Sequence, residues 1–226
     1  MTVLWTPSKE RIERATLTRF AEHVGRTGSY EELWRWSVED LDGFWAAIWE
    51  FFGVRGTYER VLGSRAMPGA EWFPGARLNY AEHILSGRDD DAVAIWHATE
   101  TRPLAAWTWG DLRRETARIR AGLVALGVGR GDRVAAYLPN VPETVAACLA
   151  TVSLGAIWSS AAPEFGVRSV IDRFAQIEPT VLLAVDGYRY NGRDIDRTAH
   201  GERIADEIGA DLVRLGVLSG TGWERG

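Results

Sequence analysis

Two arginines four residues apart carry the most pointed chemistry in this sequence. Arg189 and Arg193 lie in DGYRYNGR, residues 186–193, directly after the apolar run TVLLAV. A guanidinium is a planar fork of N–H donors, and two of them in one short stretch suit phosphate oxygens. Gly187 and Gly192 would let that stretch approach a ligand closely. The second candidate is SAAPEFG at 160–166, which also follows a short apolar run. In sheets covered by helices on both faces, ligands sit outside the carboxyl ends of the strands, and both stretches fall there. Composition alone favours reading both arginines as solvated surface charges. Their position argues for a site.

No other motif amounts to an active site. The sequence has no Walker-type glycine-rich loop, no G-x-G-x-x-G after a strand, no H-E-x-x-H and no cysteine cluster. His23, His83, His97 and His200 are scattered without metal-ligand spacing, so neither a metal site nor a catalytic residue is assigned. The glycine-rich GVGRG at 127–131 lies between a helix and a strand. A phosphate cradle needs the opposite order, so this stretch reads as a helix stop and a turn. The single cysteine, Cys148, sits in VAACLATV and reads as a small core residue.

The elements that must position the two stretches are readable from period and caps. Thr108 and Asp111 form a helix start signal. Leu112, Thr116, Ile119, Leu123 and Leu126 follow as one stripe, and Gly127 closes the helix. Residues 133–138 read as a buried strand. Asn140 is placed as the cap of the next helix, with Pro142 in its first turn and Gly155 at its end. Strands are expected at 156–160, 180–185 and 211–218, a loop at 186–193, and a polar helix at 198–208. A hairpin is expected over 92–97 and 104–108, and a helix over 79–86. The final GTGWERG reads as frayed.

The N-terminal part is helical and aromatic. Ile12, Leu17, Phe20 and Val24 suggest one helix face. Ser29 and Glu32 form a capping box, and Ser37 and Asp40 repeat its spacing. The eleven tryptophans read as core payload at element junctions. The fold class expected is therefore α/β, a partial parallel sheet flanked by helices with a helical, Trp-rich N-terminal cap. The domains are drawn at 1–86 and 87–226.

A net charge of -5 and a pI near 5.5 argue against a nucleic-acid partner. No apolar run approaches a membrane span and no signal peptide pattern opens the chain, so no membrane association and a cytoplasmic location are expected.

Longer stretches carry a resemblance. FPGARLNYAEHIL at 73–85, the run WTWGDLRRE…SSAAPEFG at 107–166 and SVIDRFAQIEPTVLLAVDGYRYNGR at 169–193 resemble the acetoacetyl-CoA synthetase family of the acyl-adenylate-forming ligases. Acetyl-CoA synthetases carry a glycine pair where this chain has Pro163 and Glu164, so the acetoacetyl type fits better. The resemblance implies a reaction in which ATP and a carboxylate give an acyl-adenylate and pyrophosphate, after which the CoA thiol displaces AMP. It implies that Arg189 and Arg193 match arginines holding CoA phosphates, and that Pro163, Glu164 and Phe165 match the segment beside the CoA adenine.

The family's ATP-phosphate loop, its adenine and metal motif, its ribose-binding Asp and its catalytic Lys have no counterpart here. The resemblance therefore implies the N-terminal portion of an acetoacetate–CoA ligase. That portion would be inactive alone and bind CoA weakly, with ATP and Mg used only in the complete enzyme. Its partners would be small-molecule substrates and the missing C-terminal portion, and its sheet would leave apolar surface exposed. An acetyl- or propionyl-type acyl-CoA synthetase fragment, and a non-catalytic remnant acting only as an interaction module, are the alternatives.

Overall fold

The protein is described here by a computed structural model covering residues 3–225. The chain divides into two units between Leu78 and Asn79. The first holds helices α1 (Lys9–Glu13), α2 (Thr16–His23), α3 (Tyr30–Glu39) and α4 (Leu41–Phe51), and a small antiparallel pair, β1 (Leu62–Ser64) and β2 (Glu71–Trp72). The single helix expected around Ile12 and Phe20 is broken into α1 and α2. The Ile12 carbonyl, which a continuous helix would give to Thr16, accepts the Thr18 hydroxyl at 2.6 Å and the Ala15 N–H at 3.1 Å. A side chain has competed with the helical ladder and won.

The Ser29–Glu32 capping box forms as its spacing predicts. Its expected repeat does not. Ser37 lies inside α3 and donates its hydroxyl to the Trp34 carbonyl, while Asp40 alone caps α4 by accepting the Gly43 N–H. Phe20 is the buried centre of this unit, with the rings of Phe51, Phe44 and Trp36 at 5.3, 5.9 and 6.4 Å. Tyr30, Trp34 and Phe52 stay at least half exposed.

The second unit begins with α5 (Tyr80–Leu85), capped by Asn79. The Asn79 amide donates to the Val152 carbonyl at 2.9 Å, and Ala81 is fully buried in the main core. These contacts put α5 in the second unit, whereas the sequence placed it before the 86/87 boundary. The unit continues through the hairpin β3 (Val93–His97) and β4 (Ala105–Thr108), then α6 (Trp109–Ala125), β5 (Arg133–Tyr137), α7 (Pro142–Ser153), β6 (Ile157–Ala161), α8 (Val167–Phe174) and β7 (Val181–Val185). It ends with β8 (Gly187–Tyr190), β9 (Arg193–Asp196), α9 (Thr198–Ile208), β10 (Asp211–Gly216) and β11 (Gly222–Arg225).

The main sheet has the order β11-β10-β7-β5-β6, and all its pairings are parallel except that of β11 with β10. This is the parallel-strand α/β arrangement that alternating strands and helices imply. Its central strand β7 is buried at every residue, as a parallel strand covered on both faces must be. Strand alternation divides the core in two. Val134, Ala136, Val181 and Leu183 join the layer built with α5, α6 and α7, and Ala135, Tyr137, Leu182 and Ala184 join the layer with α8 and α9. Helix α9 sits close on the sheet because Gly201 has no side chain: a Cβ there would stand 2.9 Å from that of Ala184. No helix among the described residues is long and apolar enough to cross a membrane.

Three further expectations give way. Val141, not Asn140, is the N-cap of α7, and it makes no side-chain cap. Proline at the first helical position holds the residue before it extended, so the helix starts one residue late. The final GWER is not frayed but pairs as β11, and the Trp223 indole N–H donates to Glu115 at 3.1 Å. Finally, none of the eleven tryptophans is buried. Trp107, Trp109, Trp158 and Trp223 pack on the rim of the main core instead. An indole is large and carries an N–H that stays satisfied most easily at a boundary.

Candidate functional site

The carboxyl ends of β5, β6 and β7 converge on one edge of the second unit. After β6 the chain makes a tight turn in which the Phe165 N–H donates to the Ala162 carbonyl at 3.1 Å. Pro163 in this turn is buried and Glu164 exposed. Phe165 is 47% exposed, with the Arg173 guanidinium 5.3 Å from its ring. The turn is held from below by Tyr137, the last residue of β5. Its phenol hydrogen is shared between the carbonyls of Pro163 at 2.7 Å and Phe165 at 2.9 Å. Tyr137 is fully buried, and burial raises its pKa, so the phenol stays a donor. Arg197, just after β9, adds a second donor to the Pro163 carbonyl through Nε at 2.8 Å.

At the end of β7, Asp186 turns its carboxylate onto three backbone N–H groups. Val217 and Leu218 donate to Oδ1 at 2.8 and 3.0 Å, and Ser219 donates to Oδ2 at 2.9 Å. Burial pushes this carboxyl up, but the donors of Leu218, Ser219 and Val217 outweigh it and its pKa lies below the usual range. A pKa lower in the folded than in the unfolded chain means that the folded chain binds fewer protons. The resulting stability is complete above the unfolded value of about 3.9 and is lost as pH falls through the folded one. Asp186→Asn should therefore lower the urea midpoint at pH 7, with a gap from wild type that narrows at pH 3. An equal gap at both pH values would show that the charge is not what holds the segment.

The stretch 186–193 is not the loop expected from sequence. It opens a β-hairpin, β8 with β9, turning at Asn191 (φ 51°) and Gly192 (φ 73°). Two successive residues of positive φ make the turn whose twist matches a hairpin, and Asn-Gly is its strongest sequence signal. The polarity of the flanking residues concealed the strands. The hairpin also separates the two arginines. Arg189 stands opposite Asp194 and Arg193 opposite Tyr190, so by strand alternation the two guanidinium groups leave from opposite faces. Arg189 is engaged bidentately by Asp194, with Nε to Oδ1 at 2.6 Å and Nη2 to Oδ2 at 3.0 Å. Arg193 is exposed and has no ion pair among the described residues. Gly187 serves strand–strand approach: a Cβ there would meet the Ile195 carbonyl oxygen at 2.6 Å.

Two residues tie the hairpin to its surroundings. Glu100, in the turn between β3 and β4, accepts the Asn191 N–H at 2.7 Å and the Gly192 N–H at 2.8 Å. Arg197 lies 5.5 Å from the Tyr188 ring and reaches its hydroxyl at 3.4 Å. The structure thus joins Pro163 to the hairpin through Arg197. It offers an exposed cation at Arg193 and a half-exposed aromatic face at Phe165, groups that suit a phosphate and a flat ring. Tyr137, Asp186, Arg197 and Glu100 escaped the sequence reading. Tyr137 and Asp186 were signalled only by being polar atoms at the ends of apolar strands. Glu100 had no local signal, because its partners lie far along the chain. Among the described residues there is no group of three or more His, Cys, Asp or Glu placed to hold a metal ion.

Residues 85–221 match the family described as AMP-binding enzyme, and residues 30–84 match that described as acetyl-coenzyme A synthetase N-terminus. The chain belongs to the AMP-binding enzyme family. Its relatives there include acetoacetyl-CoA synthetases. The one from Rhizobium meliloti (strain 1021) is 41% identical over 218 residues, 93% of this chain and 33% of its own length. That from Xenopus tropicalis is 41% identical over 204 residues, 85% of this chain and 30% of its own length. The solved structure of acetoacetyl-CoA synthetase from Streptomyces lividans is 49% identical with a TM-score of 0.88, covering 98% of this chain and 36% of that one. The chain spans about a third of the length of the curated relatives it matches.

Proposed function

We propose that these residues work as part of an acetoacetate–CoA ligase, in the cytosol and on small-molecule substrates rather than nucleic acid. The complete enzyme joins acetoacetate to CoA with cleavage of ATP to AMP and pyrophosphate. The observation that carries this reading is the 49% identity to an acetoacetyl-CoA synthetase across 98% of the chain. In this reading the chain contributes to the CoA side. Arg193 faces the CoA phosphates, and Pro163, Glu164 and Phe165 border the adenine. Arg189, on the opposite face of the hairpin, serves that side indirectly, by bracing the hairpin through Asp194.

The residues present do not fit ATP and Mg. Adenylyl transfer depends on cations and backbone donors placed around the phosphates. The sequence holds one lysine, Lys9, in the exposed helix α1, and no metal-holding acidic cluster is found among the described residues. Adenylation is therefore assigned to residues outside this chain.

The test is exchange of labelled pyrophosphate into ATP by the complete ligase with acetoacetate, acetate or propionate. Acetoacetate should support the fastest exchange, and the 226 residues alone should support none. A preference for acetate or propionate would replace the acetoacetyl reading with the acetyl- or propionyl-type one. Absence of exchange with any of them would favour a non-catalytic interaction module.

A further inference from the structure

The turn at 162–165 and the hairpin β8–β9 are separate stretches, yet one pair of side chains fixes both. We propose that Tyr137 and Arg197 are positioning residues that lock the turn carrying Glu164 and Phe165 to the hairpin carrying Arg193, so that a nucleotide with both a flat base and phosphates meets one pre-set surface. This rests on the CoA reading above and goes beyond it by assigning the residues that set the geometry.

The argument is one of satisfied lone pairs. The Pro163 carbonyl can accept two hydrogen bonds, and it receives two, from the Tyr137 hydroxyl and from Arg197 Nε. The Phe165 carbonyl is drawn to the same hydroxyl. The carbonyls on either side of Glu164 are thus pinned to one buried group, which leaves the Glu164 side chain and half of the Phe165 ring on the solvent side. Tyr137 is the end of a central strand, so its position is that of the sheet.

Arg197 is equally fixed at its base. Its backbone N–H donates to the Asp186 carbonyl at 2.7 Å, at the point where β7 gives way to the hairpin. From there its guanidinium lies against the Tyr188 ring of β8 while Nε reaches Pro163. A planar cation can stack and donate in its plane at the same time, which a lysine ammonium cannot do. Neither residue needs to touch ligand. Each acts on the placement of a group that does.

The experiment compares Tyr137→Phe, Arg197→Met, Arg197→Lys and Arg193→Ala in the complete ligase, by amide hydrogen exchange and by CoA titration at saturating ATP and acetoacetate. Loss of the phenol hydrogen bond should speed exchange at 164–166 roughly 5- to 10-fold and raise the apparent KM for CoA by about 3- to 10-fold. The kcat at saturating CoA should stay within about twofold, since the chemical groups are untouched. Arg197→Met should do the same and also loosen 187–190, and Arg197→Lys should recover part of both losses. If the turn loosens while KM for CoA is unchanged, and Arg193→Ala still raises it, Tyr137 and Arg197 are structural only and the proposal is overturned. If the turn does not loosen, it is overturned as well. If Arg193→Ala leaves KM for CoA unchanged, the CoA reading itself fails, whatever the other variants do.

Discussion

Gly187→Ala should unseat the hairpin that carries Arg193. The glycine is buried, and an added Cβ would stand 2.6 Å from the Ile195 carbonyl oxygen and 3.3 Å from the Asp196 Cα. Both are backbone atoms of the pairing strand, so no side-chain rotation relieves the contact. Overpacking of this kind costs about 1–3 kcal/mol, and here the strand pairing must give. Local opening of 187–196 should become roughly 5- to 150-fold more frequent, read as faster amide exchange in those residues alone. Phe174 and the rest of the layer under α8 should keep their protection. Exchange in 187–196 indistinguishable from wild type would mean that the strands can shift without cost, and that the hairpin does not hold Arg193 in place.

How far the sequence revealed this arrangement follows from the range of the interactions involved. Helix α9 appears over the residues its pattern predicted, and Thr108 and Asp111 form both halves of their capping box. Period, caps and stops are local, so a single chain displays them. The strand β7 was legible because a strand buried on both faces is an unbroken apolar run. The hairpin β8–β9 was not, because exposed strands carry polar residues and look like a loop. Its turn signal, Asn191-Gly192, was in plain view but lacked apolar flanks. The tryptophans misled for a related reason: size suggested the core, while the indole N–H groups of Trp36 and Trp223 settle on Asp40 and Glu115 at the surface.

The candidate site was legible in place but not in arrangement. Both stretches do lie at the carboxyl edge of the sheet, where a parallel sheet exposes its binding side. The sequence offers Arg189 and Arg193 together as two cations suited to phosphate oxygens, whereas hairpin register sends them to opposite faces and commits Arg189 to Asp194. The bridging roles of Arg197 and Glu100 depend on contacts between residues distant in sequence, Glu100 with Asn191 and Arg197 with Pro163. No local pattern encodes such a contact.

The proposal that Arg193 faces the CoA phosphates is tested most directly by the CoA dependence of Arg193→Ala in the complete ligase. The guanidinium is exposed and has no internal ion pair among the described residues, so its removal should disturb neither the hairpin nor the sheet. A charge-assisted contact to phosphate at such a site contributes on the order of 1.5–3 kcal/mol at low salt, which corresponds to a roughly 10- to 150-fold rise in apparent KM for CoA. Exposed charges are screened, so the difference from wild type should shrink as ionic strength rises. Acetoacetate-dependent exchange of pyrophosphate into ATP involves no CoA and should remain within about twofold of wild type. The predicted result is therefore a large, salt-sensitive rise in KM for CoA with near-normal exchange. Impaired exchange with an unchanged CoA dependence would contradict the account and move Arg193 from the CoA side to the nucleotide or to the structure.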